Sequence, residues 1–383
     1  MLLLGRLLLQ EIEEETPGGA AMTLAFAILL AMHGLIHMLG ATKGFRLSMT
    51  GGSLWLVGGA LFFLTAVALV AWPRGWWAIG AVALLISVFA IVPAWSEAKF
   101  GMLPNALIFA AVVAGFMAEG PASLHAAYDR DVREGSSRAE FVRLVNDDDL
   151  VGLPPPVQRY LQLAGVVGQP QVRDFQVVMH GRIRRDRGRP WMPLVAEQHN
   201  FVDVPSRFFY MSSSMFAIPV RGYHRYAAGA ATMQVKAGGL LTVASASGAE
   251  MTQAETVTLF NDMAVMAPAT LIDPAIQWES ISSCKARATF TAGAQTIRAE
   301  LVFSDTGELV NFISDDRYQS GGDGQAMRKL RWSTPVGSYR QFGNVRLAST
   351  GAGRWHDAQG AYSYIELTID DVRYNVSGPN SRK

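Results

Sequence analysis

The sequence predicts two units of different class, a membrane-spanning α-helical unit with four transmembrane helices and, after it, a water-soluble α+β unit dominated by an antiparallel sheet. Three observations carry this. Four apolar runs, Met22 to Gly40, Leu54 to Trp72, Trp76 to Trp95 and Phe100 to Met117, each approach the ~20 residues with which a helix crosses a bilayer. From Ala118 onward the chain turns polar and rich in glycine. Beyond Val172 the apolar period drops to two, the period of a half-buried strand. The implied boundaries are an extension over 1–21, the helical unit over 22–117, a connecting segment over 118–150, the β-rich unit over 151–376 and a tail over 377–383.

Composition narrows the function. The chain has 383 residues, half of them apolar, with a net charge of +1, and the apolar share is concentrated in the first third. Without a broad basic field, nucleic acid is not an expected partner. Cys284 is the single cysteine, which excludes an internal disulfide framework and a cysteine-based zinc cluster.

The first residues make a poor signal peptide. Leu2 to Leu9 is short and interrupted by Arg6, and the acidic run Glu11 to Glu15 stands where small residues would be needed. Met22 is the expected natural start, and the residues before it are expected to have little structural role. Four helices make an even number of crossings. Lys43 and Arg46 in the first loop and Lys99 in the third, against Arg74 alone in the second, then place loops one and three in the cytoplasm and the β-rich unit outside. Arg130 and Arg133, just after the fourth helix, pull the other way.

In the connecting segment a short helix is expected at Arg138 to Val145. Leu153-Pro154-Pro155-Pro156 then supplies a helix start, with Val157, Tyr160, Leu161 and Ala164 at helical spacing and Gly165 and Gly168 as the stop. Strands follow where apolar residues alternate: Phe175, Val177 and Met179; Ile297, Ala299, Leu301 and Phe303; Val345 and Leu347; Tyr362 and Tyr364. Asp305-Thr306-Gly307, Gly321 to Gly324 and Asp357 to Gly360 carry the turn chemistry between them. One helix interrupts the strands. Thr252 and Glu255 have capping-box spacing, Val257, Phe260, Met263, Ala264 and Ala267 share an apolar face, and Pro268 is the stop. It is expected to pack on the concave face of the sheet.

Several clusters could hold chemistry. His33 and His37 share one face of the first membrane helix, where ionisable groups are costly and face a bundle interior or a cofactor. Haem, metal or quinone ligation is one reading; the other and favoured one is that both sit near the cytoplasmic end of the helix, close to Lys43, and hydrogen-bond to neighbouring helices or headgroups, because no second His pair or carboxylate lies in the remaining helices. Arg182, Arg184, Arg185, Arg187 and Arg189 crowd one hairpin, either as an ordinary soluble turn or as a contact for anionic headgroups. Phe208 to Met211, Met215 to Pro219 and Tyr223 to Tyr226 are dense in aromatics and methionine, which build adaptable apolar surfaces and equally well an ordinary core. Glu197, His199 and Asn200, with Asp262, Asp273, Asp315 and Asp316, have no spacing that matches a hydrolase, metal, phosphate-loop or dinucleotide motif.

These segments resemble a bacterial family of uncharacterised function. The resemblance rests on Leu153 to Gly165, Trp191 to Asp203, Phe209 to Tyr226, Met251 to Asp273 and Ile313 to Tyr318, and on His33 to Gly40 in the first helix. The order of elements also resembles the lipoprotein-carrier fold, an incomplete antiparallel β-barrel whose concave face is covered by helices and holds acyl chains. That resemblance implies a ligand cavity where the residues alone imply a core. The expectation is therefore a non-catalytic, membrane-anchored domain at the cell envelope that binds a lipid or other lipophilic ligand, with no metal or cofactor. Phe208, Tyr210, Met215, Phe216, Tyr223, Met233, Phe260, Met263 and Met266 are the expected cavity wall. The alternative is an envelope sensor or scaffold that binds a protein partner, and a third reading is a membrane redox enzyme using His33 and His37.

Overall fold

The computed structural model describes residues 17–47, 49–135, 143–215 and 218–376. These described residues fall into two compact units, one of those up to Ala127 with Ser214, Met215, Ile218, Pro219 and 237–241, the other of those within 128–213, 220–236 and 242–376.

The first unit holds α1 (Pro17–Leu47), α2 (Met49–Ala71), α3 (Trp76–Ile91) and α4 (Met102–Glu119). Its helices are apolar outward, with Leu24, Leu35, Leu39, Val67, Phe89 and Leu103 exposed, while His33, His37, Ser87 and Asn105 are buried. Such inversion suits a hydrocarbon solvent. Close packing follows from missing side chains. A Cβ on Gly34 would lie 2.9 Å from the Gly59 carbonyl oxygen, and one on Gly59 would lie 2.8 Å from that of Gly34. Only glycine at both positions lets α1 and α2 approach so nearly. In the same way Gly80 meets Val112 and Gly115 meets Trp76, so α3 and α4 run antiparallel.

The expected four spans become three helical stretches long and apolar enough to cross a membrane, Ala21–Thr42, Gly51–Ala71 and Trp76–Glu134. The third and fourth runs fall in the last stretch, which short turns at Val92–Ala94 and Lys99–Gly101 divide. With 16 residues, α3 rises only ~24 Å, short of a ~30 Å hydrocarbon core. Residues 17–21 are already helical, so Met22 lies inside α1.

The second unit is built on a 13-stranded sheet with the order β6-β5-β4-β3-β2-β1-β15-β14-β13-β10-β9-β8-β7. In chain order its strands are β1 (Asp174–Ile183), β2 (Met192–Phe201), β3 (Ser206–Met215), β4 (Ile218–Ala227), β5 (Ala230–Ala237), β6 (Leu241–Ser247), β7 (Ile276–Ser282), β8 (Lys285–Ala292), β9 (Gln295–Phe303), β10 (Leu309–Ser314), β13 (Arg331–Phe342), β14 (Val345–Asp357) and β15 (Gly360–Tyr374). β11 (Tyr318–Ser320) and β12 (Met327–Lys329) form a separate hairpin. From β3 round to β7 the neighbours are antiparallel, as the alternation predicts. The sheet is curved and unclosed. Its β4–β5 turn at Gly229 comes against the β8–β9 turn at Gly293, and Tyr226 reaches across to the Ala292 carbonyl.

Three helices accompany the sheet: α5 (Leu124–Glu134), α6 (Pro155–Ala164) and α7 (Ala249–Met266). The helix expected at Arg138 to Val145 falls largely outside the described residues, and Leu144 instead pairs with Pro170 as an isolated bridge. Pro154, Pro155 and Pro156 start α6 and Gly165, at φ 73°, ends it in the left-handed region that favours glycine. Because α7 connects the edge strands β6 and β7, it has to traverse the concave face. It is buried along nearly its whole length. Phe260 stacks on Phe290 at 5.1 Å and meets Phe312 edge-on at 5.6 Å, so this part of the face is filled by side chains.

The capping box expected at Thr252 and Glu255 is replaced by a different start. The helix begins a turn earlier, after Gly248 at φ 98°. The Thr252 hydroxyl donates to the Gly248 carbonyl and accepts from the Ala231 backbone N–H, while Glu255 faces the sheet. Tertiary partners claimed both side chains.

The Phe260→Ala substitution should destabilise the fold by ~3–5 kcal/mol, since it empties the contact centre of a packed face. Chemical denaturation of the purified chain checks this; a cost under ~1 kcal/mol would mean that the ring does not fill a core.

Candidate functional site

The densest cluster of buried charge lies where α7 crosses β2, β3 and β4. Glu255 and Asp262 are seven residues apart, two turns along one side of α7. Arg207 on β3 binds both: its Nε donates to Asp262 Oδ2 at 2.5 Å and its Nη1 to Glu255 Oε2 at 2.9 Å. Gln198 on β2 closes the ring, donating to Asp262 at 2.7 Å and accepting from Arg207 Nη2 at 3.1 Å. His224 on β4 lies with Nδ1 3.1 Å from the other Glu255 oxygen. Register explains the convergence, because Arg207 pairs with Asn200 and Gln198 with Phe209 on adjacent strands. Burial alone would raise the Glu255 carboxyl, but Arg207 and then His224 hold it down at about 2. The arrangement binds a helix to a sheet, and every charge in it faces a partner.

The nine residues expected to line a cavity are divided by the sheet. Phe260, Met263 and Met266 are buried on α7, and Met233 packs against the same core. On the opposite face of β3 and β4, Tyr210 and Tyr223 lie about 6 Å from the Tyr128 ring of α5, and Phe208 meets Phe201 edge-on. There Tyr223 donates to Asp131 at 2.6 Å, and burial, then that carboxylate, raises its pKa. Met215 is exposed at the end of β3, and Phe216 lies outside the described residues. None of the described eight lines either depression found on this unit.

The larger depression, about 680 Å³, lies on the central strands β1, β15, β14 and β13. Gly337 and Ala352 leave its floor nearly without side chains, and Arg182, Arg354 and Glu366 stand around it; Gly181, Gly351, Val336 and Leu367 also border it, although Val336 and Leu367 pack against the core. By register Arg182, Glu366 and Ala352 share one face, opposite to the buried Met179 and Ile369. The smaller depression, about 280 Å³, is polar and lies between β6, the start of α7 and the β11–β12 hairpin, with Ser245, Glu250 and Gln325 in its wall.

The arginine-rich hairpin joins β1 to β2 beside the larger depression. Arg182 and Arg184 lie 4.6 and 4.4 Å from the Trp191 ring centre. Arg182 also pairs with Glu366 at 2.6 Å and Arg187 with Asp357 at 2.8 Å. Asp315 and Asp316 pair with Arg331 and Lys329, and His199 with Asp174.

In the helical unit, His33 and His37 do meet polar partners on other helices. His33 Nε2 lies 2.9 Å from Asn105 Oδ1 on α4, and His37 Nε2 lies 2.9 Å from Ser87 Oγ on α3. Ser87 and Asn105 bond to each other at 2.8 to 3.0 Å. The four side chains form one buried clasp across α1, α3 and α4, with the two Nδ1 atoms unpartnered.

Two features escape sequence reading. The ring around Arg207 had a signal in the two carboxylates at i and i+7 of an otherwise apolar helix, which demand a buried cation. The depression had one in Thr350-Gly351-Ala352-Gly353, a run of small residues inside a strand.

Comparison with known proteins gives a family and a set of distant structural likenesses. Residues 143–367 match the sequence profile of a family of unknown function, DUF6544. No curated protein matches the chain. Among solved structures, a domain named for outer membrane lipoprotein sorting from Vibrio parahaemolyticus is similar at 12% identity and a TM-score of 0.33, over 54% of this chain and 87% of that one. A DUF1329 family protein from Desulfovibrio piger is similar at 12% identity and 0.34, over 59% and 93%. A LolA superfamily protein from Nitrosomonas europaea is similar at 9% identity and 0.27, over 57% and 92%.

Two outcomes follow from these geometries. Glu255 has a depressed folded pKa, so its contribution to stability is present above the unfolded value of about 4.5 and is lost as pH falls from there through about 2. Glu255→Gln should cost ~3–5 kcal/mol at neutral pH, by leaving Arg207 short of a counter-charge, and should flatten that acid limb; thermal unfolding across pH reads both. Asn105→Ala should lower stability by ~1–2 kcal/mol, because it leaves His33 Nε2 without its partner and Ser87 with His37 alone in an apolar unit. An unchanged Tm in detergent would show that the clasp carries no energy.

Proposed function

The chain belongs to DUF6544, a family of unknown function, and we propose that it is a membrane-anchored protein of the cell envelope that binds a lipid or other lipophilic molecule without covalent chemistry. The seat is the depression on β1, β15, β14 and β13. The observation that supports it is the sparse floor: Gly337 on β13 and Ala352 on β14 carry almost no side chain on the face shared with Arg182 and Glu366, and Gly181 on β1 and Gly351 on β14 lie beside them. Glycine inside strands weakens them and marks close approach of a ligand or another backbone. A volume of about 680 Å³ is within the ~300–1,000 Å³ range of small-molecule sites. An apolar chain would lie along the floor over Gly337 and Ala352, bordered by Pro335. Arg182 and Arg354 would face an anionic headgroup, Arg182 at the cost of its pairing with Glu366.

In this reading the aromatic and methionine residues have a supporting part. Phe260, Met263 and Met266 fill the concave face, which keeps the sheet curved and its central strands presented. The apolar helices hold the domain where lipid is plentiful.

Ala352→Trp puts a large ring on the floor while leaving the strand pairing intact. Native mass spectrometry of the full chain released from membranes should show bound lipid on the unaltered protein and little on the Ala352→Trp variant. Equal lipid on both, or none on either, would contradict this seat.

A further inference from the structure

Five exposed large apolar residues, Met215, Ile218, Leu240, Leu241 and Val243, cluster at the ends of two neighbouring hairpins, β3–β4 and β5–β6, with Leu240 in the turn between β5 and β6. Among the described residues beyond 143, the others are scattered: Leu144, Val151, Val195, Val204 and Ile281. The Gly238 backbone N–H donates to the Pro219 carbonyl at 2.7 Å, which holds the two ends side by side. From Ser212 to Val220, and again from Ala237 to Gly248, the sequence contains no charged residue.

Ser214, Met215, Ile218, Pro219 and residues 237–241 belong to the same compact unit as the apolar helices, apart from the rest of their own strands. Gly239, at φ 72°, lies against the last turn of α4, where a Cβ would come 2.6 Å from the Ala118 backbone nitrogen. Helix α4 ends at Glu119. The end of an apolar span is the level at which hydrocarbon gives way to headgroups.

We infer that these paired hairpin ends are a lipid-contacting surface, inserted into the boundary of the same bilayer that the apolar helices occupy. Leu240, Leu241, Met215 and Ile218 supply the buried area, and the absence of charge from both ends removes the main cost of entry. On the edge strand β6 the exposed Leu241 and Val243, which would otherwise invite aggregation, are shielded by lipid. Nothing in this inference depends on the ligand seat on the central strands.

The test uses the full chain in nanodiscs of phosphatidylcholine with phosphatidylglycerol. With Cys284→Ser removing the native thiol, Leu241→Cys, Ile218→Cys and, as a control in an exposed turn, Asp305→Cys each carry an environment-sensitive fluorophore. Lipids spin-labelled high on the acyl chain should quench most of the emission at 241 and 218 and leave 305 unaffected. Emission at 241 and 218 that is unquenched would overturn the inference, whether it resembles that of 305 or is blue-shifted by protein contact. Two labelled positions guard against a local disturbance at either one.

Discussion

The β-rich unit depends on one buried guanidinium. Arg207 bridges Glu255 and Asp262, two carboxylates on the same side of α7, and thereby fixes that helix against β2, β3 and β4. A hydrophobic contact would bind α7 as firmly, since buried ion pairs often do no better than apolar replacements of equal volume. What the ionic ring adds is direction. Rotating α7, or sliding it by a turn, would strand two charges in the core, so the arrangement admits one orientation. With α7 so placed, Phe260 reaches Phe290 and Phe312, Tyr160 donates to the Ala264 carbonyl, and the sheet has something to curve around.

The helical unit solves the converse problem. There the solvent is expected to be hydrocarbon, so the apolar side chains face out and the polar ones are gathered into the clasp of His33, His37, Ser87 and Asn105. In both units a few polar groups specify how helices sit, while apolar area and close glycine contacts supply the bulk of the attraction. The resemblance ends with charge: the clasp is made of groups that can be neutral, and the Arg207 ring is not.

Much of the architecture could be read directly. Period two in β1, β9 and β14 and the three prolines before α6 are local signals, and each produced the expected element; the four apolar runs became helical, but as three stretches long enough to span a membrane. Local signals failed where tertiary partners intervened. Thr252 and Glu255 have capping-box spacing, yet Thr252 bonds to Gly248 and Ala231 and Glu255 to Arg207, because β3 and β5 lie beside them. The aromatic set could not be divided into faces from spacing alone, since Phe208 and Tyr210 differ from Phe209 and Met211 only by alternation, and which parity faces α7 is set by the pairing with β2. The sparse floor on the central strands needs residues from 181 to 367 brought together, which no single stretch reveals.

The central claim is that the concave face is filled by α7 and that a lipophilic ligand lies instead on the central strands. Photo-crosslinking with a diazirine-bearing phospholipid, applied to the full chain in nanodiscs and mapped by peptide mass spectrometry, addresses it directly. Away from the hairpin ends around Ile218 and Leu241, adducts on the strands should concentrate between Pro335 and Leu367, on β13, β14 and β15, with none on α7. Adducts on Phe260, Met263 or Met266 would contradict the account, because they would require that α7 leave room for a ligand on the concave face.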